Sequence, residues 1–322
     1  MTAQLDYNLL EILSECPAPS GREDLVRDLI IKTIAPYCDY CRTDAFGNII
    51  AKKAGRGGTP ITLISHMDEV GFIITGTNNL YADFVPLVRM DAEQLVGKKL
   101  ALSNGDSAII VKEENGTIKL HPDGTGRATK GMWAVFSQHM ALSGSCIQGK
   151  AMDDRSGCYA LIECMKRCTA PAQDTYYVFT SQEELNGRGS AYFSRRPKHG
   201  YYFSVDVSPI RSPDDSQGLV LGKGVGVKVC DGGVTIPERQ WSLLTGLADK
   251  YDIKWQLDIR NRGTTDVQDL YYLTETSRCF GISIPCHGGH TFCETIDCND
   301  LLHAVQLLQA VLTAGLPAIE GA

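Results

Sequence analysis

The chain has 322 residues, of which 43% are hydrophobic and 21% charged, a composition typical of a globular protein with one large domain or two smaller ones. A formal net charge of −7, without a basic stripe, argues against nucleic-acid binding. No apolar run reaches the length of about 18 residues that a membrane span needs, and residues 1–10 lack the pattern of a signal peptide. We therefore expect a cytoplasmic protein without a membrane span.

The N-terminal part of the chain contains two helix patterns and a strand pattern. Residues 7–16 predict a first helix. Ser20, followed three residues later by Glu23, forms a capping-box pattern that predicts the start of a second helix. The apolar residues 61–65 then predict a buried strand that ends in polar residues.

Residues 70–146 have a different pattern, in which short apolar stretches alternate with turn-type sequences such as SNGDS and EENGT. The apolar stretches are residues 72–74, 107–111, 117–120 and 133–136. Regularly spaced turns between short apolar segments are typical of a small all-β module. We therefore predict an inserted all-β domain of residues 70–146.

After this module, helix and strand patterns alternate again. Residues 154–168 predict a helix, residues 175–181 and 200–207 predict strands, and a last helix is expected from Asn299 or Asp300 onwards. We therefore predict an α/β domain of residues 1–69 and 147–322, with a mixed sheet sandwiched by helices and interrupted by the inserted domain.

The twelve cysteines are scattered along the chain. Cys158, Cys164 and Cys168 lie in one predicted amphipathic helix, which favours reduced, buried thiols over a disulfide framework. Cys38 and Cys41 form a C-x-x-C pair, but no second pair follows at the spacing of a structural zinc site. We expect these two thiols to pack in the interior, and a zinc or redox role stays the alternative.

The first motif with metal-type residues is ISHMDEVG, in which His66 directly follows the predicted strand. Imidazole is a good ligand for zinc and similar metals. Asp68 stands two residues further on, where it can hydrogen-bond the far ring nitrogen and orient the ring. The alternative is a histidine and an aspartate in a surface turn.

Two further motifs place paired acids beside predicted elements. GKAMDDRSGC has Asp153 and Asp154 before a helix, where one carboxylate can bridge two metals or simply cap the helix. QEEL has Glu183 and Glu184 after a strand. Neighbouring side chains there point in different directions, so one can bind metal while the other transfers protons. A polar loop is the alternative.

The last motif is split between a strand and a loop. Asp206 lies inside an apolar strand, where a carboxylate is costly unless it is paired or bound to metal. His287 and His290 lie in the glycine-rich sequence CHGGH, and only one of them is needed as a ligand.

Taken in order, HMDEVGF, GKA-x-DDR-x-G-C, QEE, VDV, G-x-TD and SIPC…H…E closely resemble the dinuclear-metal aminopeptidases that include the glutamyl, deblocking and tetrahedral (TET) aminopeptidases. The resemblance spans nearly the whole chain. It implies the phosphorylase/hydrolase-like fold of zinc exopeptidases, with the inserted domain as a β-barrel-like oligomerisation domain. It also implies these metal ligands: His66, Asp153, Glu184, Asp206 and His290.

In this family the carboxylate of Asp153 would bridge the metals, Glu183 would be the general base, and Asp68 would support His66. Two positions differ from the family pattern. Asn186 replaces a small residue. Residues 287–289, near the expected substrate end of the site, replace an Arg-Tyr sequence, so the preferred N-terminal residue and the role of His287 stay open.

The resulting hypothesis is an aminopeptidase that releases N-terminal residues from peptides with water activated by two divalent ions, zinc or cobalt or else manganese. We expect a homo-oligomer, from a dimer up to a dodecamer. A related deacylase or carboxypeptidase is the alternative within the same chemistry. A glycosidase is disfavoured because its two acids stand apart across the bond that is cleaved. A non-catalytic relative would be expected to lack the base or a ligand.

Overall fold

A computed structural model describes residues 5–78, 80–123, 127–195, 200–211, 218–260, 262–273 and 278–317. The protein is a mixed α/β fold with one large sheet, flanking helices and a small closed barrel. This architecture confirms the predicted fold class. In the described part of the chain, none of the helices combines the length and apolar character that crossing a membrane requires.

The helices and strands are numbered in chain order. The helices are α1 (Tyr7–Glu15), α2 (Asp24–Ile34), α3 (Ala92–Leu95), α4 (Met152–Arg167), α5 (Arg188–Ser194), α6 (Glu238–Lys250), α7 (Asp266–Leu273) and α8 (Cys298–Ala314). The first nine strands are β1 (Tyr40–Thr43), β2 (Ile49–Lys53), β3 (Ile61–His66), β4 (Phe72–Thr77), β5 (Ala82–Pro86), β6 (Lys99–Leu102), β7 (Ser107–Lys112), β8 (Ile118–Pro122) and β9 (Trp133–Phe136). The remaining strands are β10 (Ala141–Ser143), β11 (Cys146–Gly149), β12 (Thr175–Thr180), β13 (Tyr201–Pro209), β14 (Val225–Asp231), β15 (Val234–Thr235), β16 (Trp255–Ile259), β17 (Cys279–His287) and β18 (Glu294–Asp297).

The large sheet has the strand order β1-β2-β12-β3-β13-β17-β18-β11-β10, with β14 to β16 attached beside β17. The central strands β12, β3, β13 and β17 are mutually parallel. Their carboxyl ends therefore meet at one edge, where open α/β sheets place their sites. Every residue of β3 is buried, as expected for a strand that is covered on both faces.

The core of the large domain lies between the sheet and its helices. Helix α4 packs against β3, β13 and α8, and most of its residues are buried. Phe203 of β13 and Phe280 of β17 stack with their ring centroids 4.5 Å apart. All twelve cysteines are free thiols, and Cys38 and Cys41 pack against this core, as expected from the sequence.

Strands β4 to β9 form the closed barrel, in the order β4-β5-β8-β7-β6-β9. The barrel has a core of its own, in which the Phe72 ring meets Phe84 and Phe136 edge-on, with centroids 5.6 and 5.2 Å away. Strands β10 and β11 pair with β18 in the large sheet. The boundaries at residues 70 and 146 stay a prediction, and this pairing favours an insertion that ends nearer residue 137.

The capping box expected at Ser20 is wrong. Helix α2 begins at Asp24, and its N-cap residue Glu23 makes no side-chain capping bond. The Ser20 hydroxyl instead donates to Asp68 Oδ2 at 2.6 Å. The Glu23 carboxylate accepts from the backbone of Gly21 and Gln182, at 2.7 and 3.1 Å. Both side chains form tertiary contacts in place of the local cap.

The last helix begins at Cys298, one residue before Asn299 and two before Asp300. The N-cap of α8 is Asp297, whose carboxylate accepts from the backbone N–H of Asn299 at 2.7 Å. Asp300 lies inside the helix. Its carboxylate accepts from the backbone N–H groups of Gly222 and Gly224, each at 2.7 Å. It thereby fastens the loop before β14 to the helix.

Candidate metal centre

Each of the central parallel strands brings an acid or a histidine to the same edge of the sheet. His66 is the last residue of β3, Asp206 lies near the end of β13, and Glu183 and Glu184 follow β12. Asp153 comes from the first turn of α4, where its φ and ψ of −81° and 104° depart from helical values. The topology thus brings together side chains that are distant in the sequence.

The first cluster comprises His66, Asp153 and Asp206, whose ligand-type atoms lie within 4.8 Å of one another. His66 Nε2 is 3.0 Å from Asp153 Oδ1 and 3.7 Å from Asp206 Oδ1. The His66 and Asp206 side chains are only 2% and 8% exposed. Nitrogen and oxygen donors at this spacing suit zinc or a similar divalent ion.

The second cluster comprises Asp153, Glu184 and His290, again within 4.8 Å. His290 Nε2 lies 3.0 Å from Glu184 Oε2 and 3.4 Å from Asp153 Oδ2. Asp153 therefore belongs to both clusters and faces each with a different oxygen. The five predicted ligands are brought together in two groups that share one carboxylate.

The charges in this space favour a bound cation. Asp153, Glu183, Glu184 and Asp206 crowd together, and burial, reinforced by the Asp153 carboxylate, raises the pKa of Glu184 to about 7. Burial likewise raises the pKa of Asp206. Within the described residues, Glu184 Oε1 is buried without a hydrogen-bond partner. A divalent ion would relieve the repulsion and occupy this oxygen, so the donor set fits metal.

Asp68 lies behind His66 and is completely buried. Its Oδ1 is 3.4 Å from His66 Nδ1, an ion-pair contact that is long for a hydrogen bond. The same carboxylate accepts from the backbone N–H groups of Glu183 and Glu184, at 3.0 and 3.3 Å. Despite burial, its contact with His66 lowers the pKa of Asp68. Asp68 thus connects His66 to the segment after β12.

Glu183 belongs to neither cluster but lies beside the first one. Its Oε2 is 4.0 Å from His66 Nε2, and its side chain is 11% exposed. Burial raises the pKa of Glu183 well above its usual range. A carboxylate that faces the site, outside both clusters, can exchange a proton with a reacting group.

A cavity of about 560 Å³ opens at the two clusters, and Glu183 and four of the five predicted ligands line it: Asp153, Glu184, Asp206 and His290. The other described residues of the lining include the cationic Lys228, Arg260 and Arg262 and the buried Asp231. Lys228 is paired with Asp258, whose Oδ2 lies 3.0 Å from the ammonium nitrogen. His287 is exposed and belongs to neither cluster.

Two buried acids near the centre were missed as site residues. Glu294 accepts hydrogen bonds from the backbone N–H groups of Asp153 and His290, both at 2.9 Å. Asp266 accepts from the Thr180 hydroxyl at 2.6 Å, and burial raises its pKa to about 6. The only sequence signal was their place in the SIPC…H…E and G-x-TD motifs, which indicates family membership but not contacts.

Comparison with known proteins gives a consistent result. A sequence model of the M42 glutamyl aminopeptidase family matches residues 128–307. The lysyl aminopeptidase of Pyrococcus furiosus is 27% identical, over 96% of this chain and 97% of that protein. The Pyrococcus horikoshii TET1 peptidase, whose structure is described as assembling into a tetrahedron or a large octahedral shell, is 25% identical, with a TM-score of 0.85 over 95% of this chain and 99% of the other. An aminopeptidase from the archaeon Desulfurococcus kamchatkensis has the same fold, with 24% identity and a TM-score of 0.89 over 96% and 94% of the chains.

Proposed function

The chain belongs to the M42 glutamyl aminopeptidase family and is a metal-dependent aminopeptidase, and we propose that it releases N-terminal residues at a two-metal centre. The proposed ligands are His66, Asp153, Glu184, Asp206 and His290. One observation carries this proposal: two clusters of ligand-type atoms share the single carboxylate of Asp153. We propose zinc or cobalt as the bound ions, with manganese as the alternative. Histidine nitrogen and carboxylate oxygen are suitable ligands for all three.

Bound divalent ions supply Lewis acidity, which polarises a carbonyl oxygen and lowers the pKa of water. The side chains provide the rest of the mechanism. Glu183 accepts a proton from the water molecule that attacks the scissile carbonyl and passes it to the leaving amine. Its buried position, 4.0 Å from His66 Nε2, supports this role.

Asp68 is proposed as a positioning residue. It contacts the His66 ring from behind and accepts from the backbone N–H groups of Glu183 and Glu184. A ligand, the proposed base and a second ligand are therefore held by one carboxylate. Ser20 fixes Asp68 in turn, through the bond from its hydroxyl. Supporting contacts of this kind orient metal ligands in other metal sites.

The cavity beside the clusters is proposed to receive the N-terminal side chain of the peptide. Apart from the ligands and Glu183, the described lining of this cavity has three cationic residues, Lys228, Arg260 and Arg262, and one acid, Asp231, which supports a preference for acidic side chains. Lys228 is already paired with Asp258, so we assign the preference mainly to Arg262, which lines the cavity and is exposed.

The chain is further proposed to form a homo-oligomer in the cytoplasm, where its free thiols would stay reduced. The barrel exposes two large apolar side chains, Leu80 at 62% and Val85 at 47%, which supports subunit contacts there. Replacing both with aspartate should reduce the mass measured by light scattering. Leu142→Asp is the matched control, because Leu142 is 53% exposed on a strand of the large sheet. An unchanged mass in the double variant would exclude the barrel as the interface.

Metal depletion and reconstitution test the activity. Chelator-treated protein should lose activity and regain it with Zn²⁺, Co²⁺ or Mn²⁺. It should then cleave aminoacyl-nitroanilides that have a free amine, and not their N-acetylated forms. Equal cleavage of the acetylated substrates, or release of residues from the C-terminus of a peptide, would point to a deacylase or a carboxypeptidase and overturn the proposal.

A further inference from the structure

Glu294 is a buried acid that is not one of the five proposed ligands but is bonded to two of them. It is the first residue of β18 and is 1% exposed. Its Oε2 accepts from the backbone N–H of Asp153, and its Oε1 accepts from the backbone N–H of His290, each at 2.9 Å. One side chain therefore connects the start of α4 with the loop that follows β17.

One of these N–H groups belongs to a residue with unusual backbone geometry. His290 has a φ of 60°, in the left-handed region that residues other than glycine rarely adopt. Such a conformation persists when surrounding contacts hold it in place. The other N–H group belongs to Asp153, whose backbone is extended and not helical within α4. Glu294 therefore holds the backbone of His290 and links it to the backbone of Asp153.

We propose that Glu294 is a positioning residue that fixes His290 relative to Asp153 and thereby shapes the second cluster, Asp153, Glu184 and His290. The inference rests on the proposed ligand set. Glu294 acts through the backbone of two ligands and not through contact with substrate. Its effect should therefore fall mainly on the second metal position, because His290 belongs to the second cluster alone.

A carboxylate is well suited to this task because both of its oxygens accept hydrogen bonds. In Glu294→Gln, an NH₂ group replaces one of the two oxygens. This NH₂ group would face one of the two backbone N–H groups, and because both are donors, that hydrogen bond would be lost. Glu294→Ala loses both bonds. The glutamine variant keeps the size of the side chain and one acceptor, so it should weaken the second cluster while the fold is kept.

Asp297 offers a matched control on the same strand. It is also a buried carboxylate, 3% exposed, and it accepts from the backbone of Asn299 and from the Ser145 hydroxyl. These contacts cap α8 and do not involve a proposed ligand. Asp297→Asn should therefore lower stability without changing the affinity for metal.

Co²⁺ titration of the metal-free full chain, followed by absorption and by the Co²⁺ content after dialysis, tests the inference. Wild type should bind two ions. In both Glu294 variants, one of them should bind about 10- to 100-fold more weakly, whereas Asp297→Asn should bind both like wild type. The Co²⁺ concentration for half-maximal activity should rise by the same factor.

Wild-type affinity for both ions in Glu294→Gln would overturn the role of Glu294, and so would equal weakening in Asp297→Asn. Failure of wild type to bind two ions would instead reject the proposed metal centre itself. If Glu294→Ala does not fold, Glu294→Gln decides alone, with circular dichroism as the check on folding.

Discussion

His66 and His290 approach different oxygens of the same carboxylate, with Nε2 of His66 3.0 Å from Asp153 Oδ1 and Nε2 of His290 3.4 Å from Asp153 Oδ2. His66 is the last residue of β3, whereas His290 lies in the loop after β17, and the Asp153 carboxylate lies between the two. A carboxylate shared in this way can hold two cations, one on each side. This geometry supports the proposal that the site has two linked metal positions that share Asp153.

Glu183→Gln separates proton transfer from metal binding. Glu183 lies outside both clusters, so the variant should keep its metal content while kcat falls by about 10²- to 10⁴-fold, the usual contribution of a general base. Metal analysis and steady-state kinetics on an aminoacyl-nitroanilide check this. Turnover close to the wild-type rate would remove Glu183 from the mechanism.

Asp258→Asn should destabilise the protein in a pH-dependent way. Burial would raise the pKa of Asp258, but its pairing with Lys228 lowers the pKa overall. A lowered folded-state pKa contributes stability above the unfolded value of about 3.9, and this contribution is lost as the pH falls through the folded value. Because the variant leaves Lys228 buried without its partner, the loss at pH 7 should be about 3–5 kcal/mol.

Urea unfolding of wild type and Asp258→Asn across a pH series measures this difference. The difference should begin to shrink as the pH falls below the unfolded pKa of about 3.9 and should approach zero only below the lower folded-state pKa, where protonated wild-type Asp258 resembles asparagine. A difference that stays constant down to strongly acidic pH would show that the charge of Asp258 does not stabilise the fold.

Arg262→Glu tests the substrate preference. The substitution reverses one charge in the cavity lining, so kcat/KM for a glutamyl substrate should fall relative to a lysyl substrate by about tenfold or more, which corresponds to about 1.4 kcal/mol. Arg239→Glu is the control, because Arg239 is an exposed arginine on α6 that is not among the cavity-lining residues. The same change of ratio in both variants would indicate a general effect of net charge.

The sequence pattern predicted the fold well where local periodicity and burial agree. Strand β3 could be recognised as an apolar run that ends in polar residues. Asp206 could be recognised as an acid inside the otherwise apolar strand β13. The α4 helix and most strands of the barrel were recognised for the same reason. The place of Asp153 between the two clusters depends on how the start of α4 packs against the parallel strands β3 and β13, which periodicity alone does not define.

The side chains whose roles the sequence did not predict have one feature in common: each bonds a partner that is distant in the sequence. Ser20 has a capping-box sequence, but its hydroxyl bonds Asp68, 48 residues away. Glu294 bonds the backbone of Asp153, 141 residues away, and no local pattern indicates that contact. Asp300 is suited to cap a helix, yet it bonds the loop at Gly222 and Gly224.

The most direct test of the two-metal centre is a crystal structure of the protein with Zn²⁺ or Co²⁺, with anomalous scattering used to locate the ions. We expect two anomalous peaks, one on each side of the Asp153 carboxylate: one beside His66 and Asp206 and one beside Glu184 and His290. Both peaks should disappear or weaken in Asp153→Ala. A single ion, or two ions that do not share Asp153, would contradict the proposed two-metal centre.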